Sequence, residues 1–152
     1  MDLKVIEAHK NEYTISTDIN KLDISSIHEF LSNDTDWSYN IPLETLTTSI
    51  TNSLNFGLYY QEKQIGFARV ISDYATIAYL GDVYVLRAYR GKGLSTWLIT
   101  EIMAHPNLQG LRRWILLTDT ADWLYKKFGF TCLPKPEIYL EKHNPKVYLK
   151  NK

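Results

Sequence analysis

The chain has a single cysteine, Cys132, which excludes an internal disulfide framework and any four-cysteine zinc site. Its four histidines, His9, His28, His105 and His143, are scattered without metal-ligand spacing, so no metal is expected. No apolar run approaches the roughly 20 residues that span a bilayer, and no membrane partner is expected. The opening stretch MDLKVIEAHK carries acidic residues and no apolar core, unlike a signal peptide. A cytoplasmic protein is the expectation. Neither sign of charge dominates, since 17 Lys and Arg balance 17 Asp and Glu. No overall basic field exists to hold nucleic acid. Repeats, Gly/Ser linkers and charge blocks are also absent. The 152 residues therefore read as one domain, long enough to bury a core without staples.

What the chain does have is apolar periodicity. YTISTD (13–18) alternates and predicts a strand. Leu22, Ile24, Ile27, Phe30 and Leu31 share one helical face. SNDTDWSYN (32–40) is polar and predicts a loop that displays Trp37 and Tyr39. Pro42 suits the start of a second helix, to about residue 53. Residues 56–61 and 64–72 predict a hairpin. TIAYLGDVYVL (76–86) is apolar on both faces and predicts a central buried strand. After YRGKGLS, Leu94, Trp97, Leu98 and Ile102 predict a helix that His105-Pro106 stops. LRRWILLT (111–118) predicts another buried strand. A short helix over 120–128 should stop at Gly129. Final strands are expected at 130–133 and 138–140, and 146–152 reads as a last strand or a tail. The fold class is α/β, or α+β with a mixed sheet, and the 76–118 unit should hold two parallel strands.

The stretch that carries chemistry is Arg90-Gly91-Lys92-Gly93-Leu94-Ser95, between a buried strand and an amphipathic helix. Glycines let the backbone turn tightly and approach a ligand. Free N–H groups and the helix dipole then favour a phosphate or pyrophosphate. A plain solvated glycine loop is the bland alternative. The chain lacks the Walker pattern, and Thr96 stands where a dinucleotide fingerprint needs its third glycine or alanine.

The loop resembles the acyl-CoA loop of the GNAT superfamily of N-acetyltransferases, with Ser95 in place of the final Gly or Ala. Val83-Tyr84-Val85 resembles the preceding strand. Ala121-Asp-Trp-Leu-Tyr125-Lys-Lys-Phe-Gly129-Phe130 resembles the family's A-x-x-L-Y-x-x-x-G-F signature. The resemblance implies the GNAT fold, with a central mixed sheet flanked by helices. It also implies acetyl-CoA as co-substrate and an amine of a small molecule or peptide as acceptor, attacking directly in a ternary complex. Within the superfamily the chain looks like small single-domain bacterial members, and a homodimer is carried as an expectation.

The resemblance also implies roles. Amides of Arg90, Gly91, Lys92, Gly93, Leu94 and Ser95 would hold the pyrophosphate. Val83, Tyr84 and Val85 would pair with the pantetheine arm where this strand splays from 113–117. An N–H near Val85 would polarise the acetyl carbonyl. Thr118, where relatives often carry Asn, would also bond the pantetheine. Tyr125 matches the tyrosine that protonates the leaving thiolate, with a packed aromatic as the alternative. An attacking amine must be neutral, which calls for a base. Asp82 is the candidate, as the one charged residue of its strand, with a salt bridge or backbone cap as the alternative. Glu44, Asp73 and Asp119 are weaker candidates, and the glutamate many relatives place near 111–113 is missing. Lys126 and Lys127 read as solvated, or as reaching the adenosine 3′-phosphate. Cys132 reads as a buried structural thiol. The acidic and aromatic residues Asp34, Asp36, Trp37, Tyr39, Phe56, Tyr59 and Tyr60 suit a cationic or aromatic amine, or simply pack. Competing readings are a non-catalytic acyl-CoA-binding module and a nucleotide-binding protein.

Overall fold

A computed structural model describes residues 2–151. Six strands form one sheet in chain order: β1 (Glu7–Lys10), β2 (Tyr13–Ser16), β3 (Leu54–Tyr60), β4 (Lys63–Ser72), β5 (Ile77–Val85) and β6 (Arg113–Leu116). All neighbours are antiparallel except β5 and β6, which are parallel. The long helix between those two makes this possible, because parallel strands need a crossover rather than a hairpin. The β1–β2 and β3–β4 turns use Asn11 and Gln61 with positive φ, the geometry that tight hairpins require.

Among the described residues four α-helices cover the sheet: α1 (Ile24–Asp34), α2 (Leu43–Thr51), α3 (Leu94–Met103) and α4 (Asp122–Lys126). The Asp23 carboxylate caps α1 by accepting from Ser26 N at 3.0 Å, an interaction that contributes about 1 kcal/mol. Pro42 precedes α2, with its fixed φ preset for a helix start. Two cores result. Leu98, Ile99 and Ile102 of α3 pack with Phe56, Val70 and Leu80 of the sheet. Ile27 and Leu31 of α1 pack with Leu46 and Ile50 of α2 over Phe67 and Tyr84. Each fully buried aliphatic side chain contributes about 1.5–3 kcal/mol before entropy is subtracted.

The structure corrects several expectations. β5 is next to the sheet edge rather than central, and its Ile77 is partly exposed. The strand at 111–118 shrinks to the four residues of β6, half-buried at the edge. No strand forms at 130–133 or 138–140. Pro134 and Pro136 interrupt that stretch, and Leu133, Ile138 and Leu140 are exposed. Of 146–152, read as a last strand or a tail, Val147–Asn151 form a 3-10 helix, and residue 152 lies outside the described residues. Cys132 is exposed, not buried, because the strand that was to bury it does not form.

Candidate active site

β5 ends at Val85 and a 3-10 turn, Arg87–Tyr89, leads into the glycine loop. Gly91 and Gly93 have φ of +78° and +76°, where an L side chain is strained. A Cβ at either would meet nothing within 4 Å, so the loop is open to solvent. Gly93 starts α3 without a side-chain cap. The first N–H groups of the helix, at Leu94, Ser95 and Thr96, thus lack intrahelical acceptors and favour an anion. Lys92 is exposed beside them. Arg90 does more than add charge. Its Nε donates to the Val85 carbonyl at 2.8 Å, tying the loop to the end of β5.

The strand feeding this loop is half unpaired. β5–β6 pairing runs from Ile77–Arg113 to Leu80–Leu116 and stops. Gly81 to Val85 continue without a neighbour on that side. Leu86 N donates to Ile65 O at 2.7 Å, which makes Gly66–Val85 a non-hydrogen-bonded antiparallel pair. The N–H and C=O of Val85 therefore point away from β4, past the end of β6. Arg90 occupies the carbonyl and the N–H faces the gap. Tyr84 is buried, with its ring stacked on Phe30 at 4.0 Å between centroids. Burial pushes its phenol well above the ordinary tyrosine range. Val83 is half-buried.

Tyr125 lies on α4 in the same buried cluster as Val85 and Leu94. Its ring meets Phe130 edge-on at 6.0 Å. Burial raises its pKa above that of a free phenol, because the phenolate would lose its hydration. Thr118 Oγ1 accepts from Ala121 N at 3.0 Å and shapes the entry to α4, leaving its own proton free to donate. Trp123 is mostly exposed. Lys127 sits over its ring and Lys126 pairs with Asp122 at 2.9 Å, so the local partners of both lysines are on α4.

Asp82 realises the salt-bridge alternative. Its Oδ2 accepts from Arg69 Nε at 2.9 Å and its Oδ1 from Trp37 Nε1 at 2.9 Å. Both side chains of the ion pair are largely buried. Of the weaker candidates, Asp73 caps its own turn by accepting from the Thr76 hydroxyl and from the amides of Thr76, Ala75 and Ile77, which holds it far below the usual carboxylate range. Glu44 lines a hollow on the α2 side of the sheet.

A model of the acetyltransferase (GNAT) domain matches residues 52–132, a span that includes the unpaired part of β5, the glycine loop and Tyr125. The chain belongs to the GNAT acetyltransferase family. A curated chain of Gibberella zeae, named as an acetyltransferase, is 31% identical over 140 residues, covering 78% of each. A crystal structure from Xanthomonas campestris pv. campestris, described as a GNAT-family acetyltransferase, is 50% identical. It covers 90% of this chain and 96% of its own, with a TM-score of 0.88. A Clostridium acetobutylicum acetyltransferase solved with acetyl-CoA shares the fold at 14% identity and a TM-score of 0.58, covering 86% of this chain and 94% of its own.

Within this GNAT chain, sequence reasoning missed the partnership of Arg69 with Asp82. The two lie on different strands, and only the β4–β5 register brings them together. A lone Arg opposite a lone Asp in neighbouring predicted strands was the available signal.

Proposed function

We propose that this GNAT chain, as one domain over residues 1–152, transfers an acetyl group from acetyl-CoA to a primary amine of a small molecule or peptide. The observation that carries the proposal is the Val85 N–H, which faces the gap beside β6. It stands next to an uncapped helix start that Arg90 ties to the same residue. In this reading the amides of Arg90 to Ser95 hold the pyrophosphate, and Lys92 adds charge at the loop. Val83 to Val85 offer strand-edge hydrogen bonds to the pantetheine, and Thr118 offers one more. Acetyl-CoA supplies the activated thioester when bound.

The Val85 N–H is a fixed dipole for the carbonyl oxygen as negative charge develops on it. The amine nitrogen forms the new C–N bond, the C–S bond breaks, and the Tyr125 hydroxyl gives its proton to the departing thiolate. A phenol is protonated at neutral pH, and burial raises its pKa further. The amine's own proton passes to solvent, and solvent returns a proton to the Tyr125 phenolate. Asp82 is poorly suited to take it, because a guanidinium and an indole already occupy its two oxygens. The whole reaction occurs in one ternary complex, and we place it in the cytoplasm. Among the described residues no helix is long and apolar enough to cross a membrane.

A test combines acetyl-CoA binding with turnover of an amine panel. Tyr125→Phe should keep binding and lose turnover. A module that only binds acyl-CoA would show binding without turnover in both proteins.

A further inference from the structure

β5 cannot stay regular at Asp82. Between the pairs Phe67–Tyr84 and Arg69–Gly81, two residues of β5 face Ala68 alone. Asp82 takes up the irregularity with a φ of +55°, a conformation that costs a non-glycine residue energy. Its carboxylate then joins three segments. Trp37 comes from the α1–α2 loop and Arg69 from β4. Arg69 in turn donates from Nη1 to Ser53 Oγ, just past α2, at 3.0 Å.

The ring that this carboxylate holds is not buried. Trp37 is 60% exposed, so packing alone does not fix it. Ile71, two positions from Arg69 on β4, is an exposed apolar residue. Beside Arg69 opens a hollow of about 560 Å³ whose lining includes Glu44, Thr48, Asn52 and Ile71. Asp82 pairs with the Arg69 guanidinium, so the hollow does not present an unpaired cation. The opposite edge of the same stretch of β5 carries the outward Val85 N–H.

We infer that Trp37, pinned through Nε1 to Asp82, is the wall that positions the acceptor. The acceptor is a primary amine bearing an aromatic or apolar group, which lies on the indole and extends into the hollow beside Arg69. This inference rests on the transferase reading above. Asp82 is a positioning residue, acting through Trp37 and Arg69. An exposed indole held in one orientation offers a large apolar face at little further entropic cost to the ligand.

The test uses the full chain and 2-phenylethylamine as probe, with n-butylamine as the small aliphatic control. In the wild type, titrating 2-phenylethylamine should move the Trp37 indole N–H resonance, assigned by its absence in Trp37→Phe. This readout needs no acetyl-CoA. Asp82→Asn should displace that resonance and weaken the titration. In turnover, Trp37→Ala should raise KM for 2-phenylethylamine about tenfold while changing kcat about threefold or less. KM for acetyl-CoA should hold within about twofold. Trp37→Phe and Asp82→Asn should shift the amine KM in the same direction by smaller factors. An unmoved indole resonance would overturn the inference, as would an unchanged KM in Trp37→Ala or equal losses for both amines. Failure of wild type to bind acetyl-CoA would instead defeat the transferase reading, and the indole titration would still decide the amine site.

Discussion

Arg90 Nε donates to the Val85 carbonyl at 2.8 Å, and that bond joins the two parts of the proposed acetyl-CoA site. One part is the glycine loop at the start of α3. The other is the unpaired end of β5. With the carbonyl taken, Val85 presents only its N–H to the gap, which suits a site that must stabilise negative charge.

Arg90→Ala removes this tie. Folding stability should fall by about 1 kcal/mol, the usual net value of such a hydrogen bond. Acetyl-CoA affinity should fall further, by about tenfold or more, because loop and strand lose their fixed relation. Calorimetry and urea unfolding on the same variant separate the two losses.

Gly93→Ala tests the loop from another side. The added methyl meets nothing within 4 Å, so the folding cost is that of the positive φ, about 1 kcal/mol. A loss of acetyl-CoA affinity beyond that cost would report the methyl group meeting the ligand. Unchanged affinity would place the pyrophosphate elsewhere.

Tyr125→Phe should leave acetyl-CoA binding within about twofold and lower kcat by about 10²-fold, within the usual range for a lost general acid. Its raised pKa also predicts a pH signature. The hydroxyl is the active form, and burial moves its loss to higher pH. Tyr125 therefore contributes no alkaline fall in kcat below about pH 10. A pH–rate profile in saturating substrate checks this.

Arg69 and Asp82 form a largely buried pair. Arg69→Ala leaves a buried carboxylate without its cation and should cost about 3 kcal/mol. Arg69→Met with Asp82→Asn should recover part of that loss. Chemical denaturation of the wild type and these two variants measures the loss and the recovery.

His105 is buried, and its Nδ1 accepts from Asn107 N at 3.1 Å. Its Nε2 has no hydrogen-bond partner among the described residues. Burial lowers its pKa below the ordinary value, so the unfolded chain takes up this proton first as pH falls. The stability His105 contributes is fully present above about pH 6.5 and is lost as pH falls through the lower folded pKa. Urea midpoints between pH 7.5 and 5 should decline in the wild type and decline less in His105→Gln.

The helices and the β3–β4 hairpin were legible because their apolar residues repeat at 3.6 or 2 positions. β1 was not. Its EAHK sequence is mostly exposed at the sheet edge and carries no apolar alternation. The last strands were expected from apolar residues near 130–140, yet Pro134 and Pro136 break the segment and leave Ile138 and Leu140 exposed. The glycine loop and Tyr125 were readable as local patterns. The link between Trp37 and Asp82 was not, because it spans 45 positions and depends on the strand register around the break beside Gly81.

The central claim is tested most directly by titrating acetyl-CoA into the purified protein in a calorimeter, with NAD and ATP as controls. The account predicts saturable one-to-one binding of acetyl-CoA, weakened in Arg90→Ala, and no comparable heat from NAD or ATP. Absence of acetyl-CoA binding, or a preference for NAD or ATP, would contradict it.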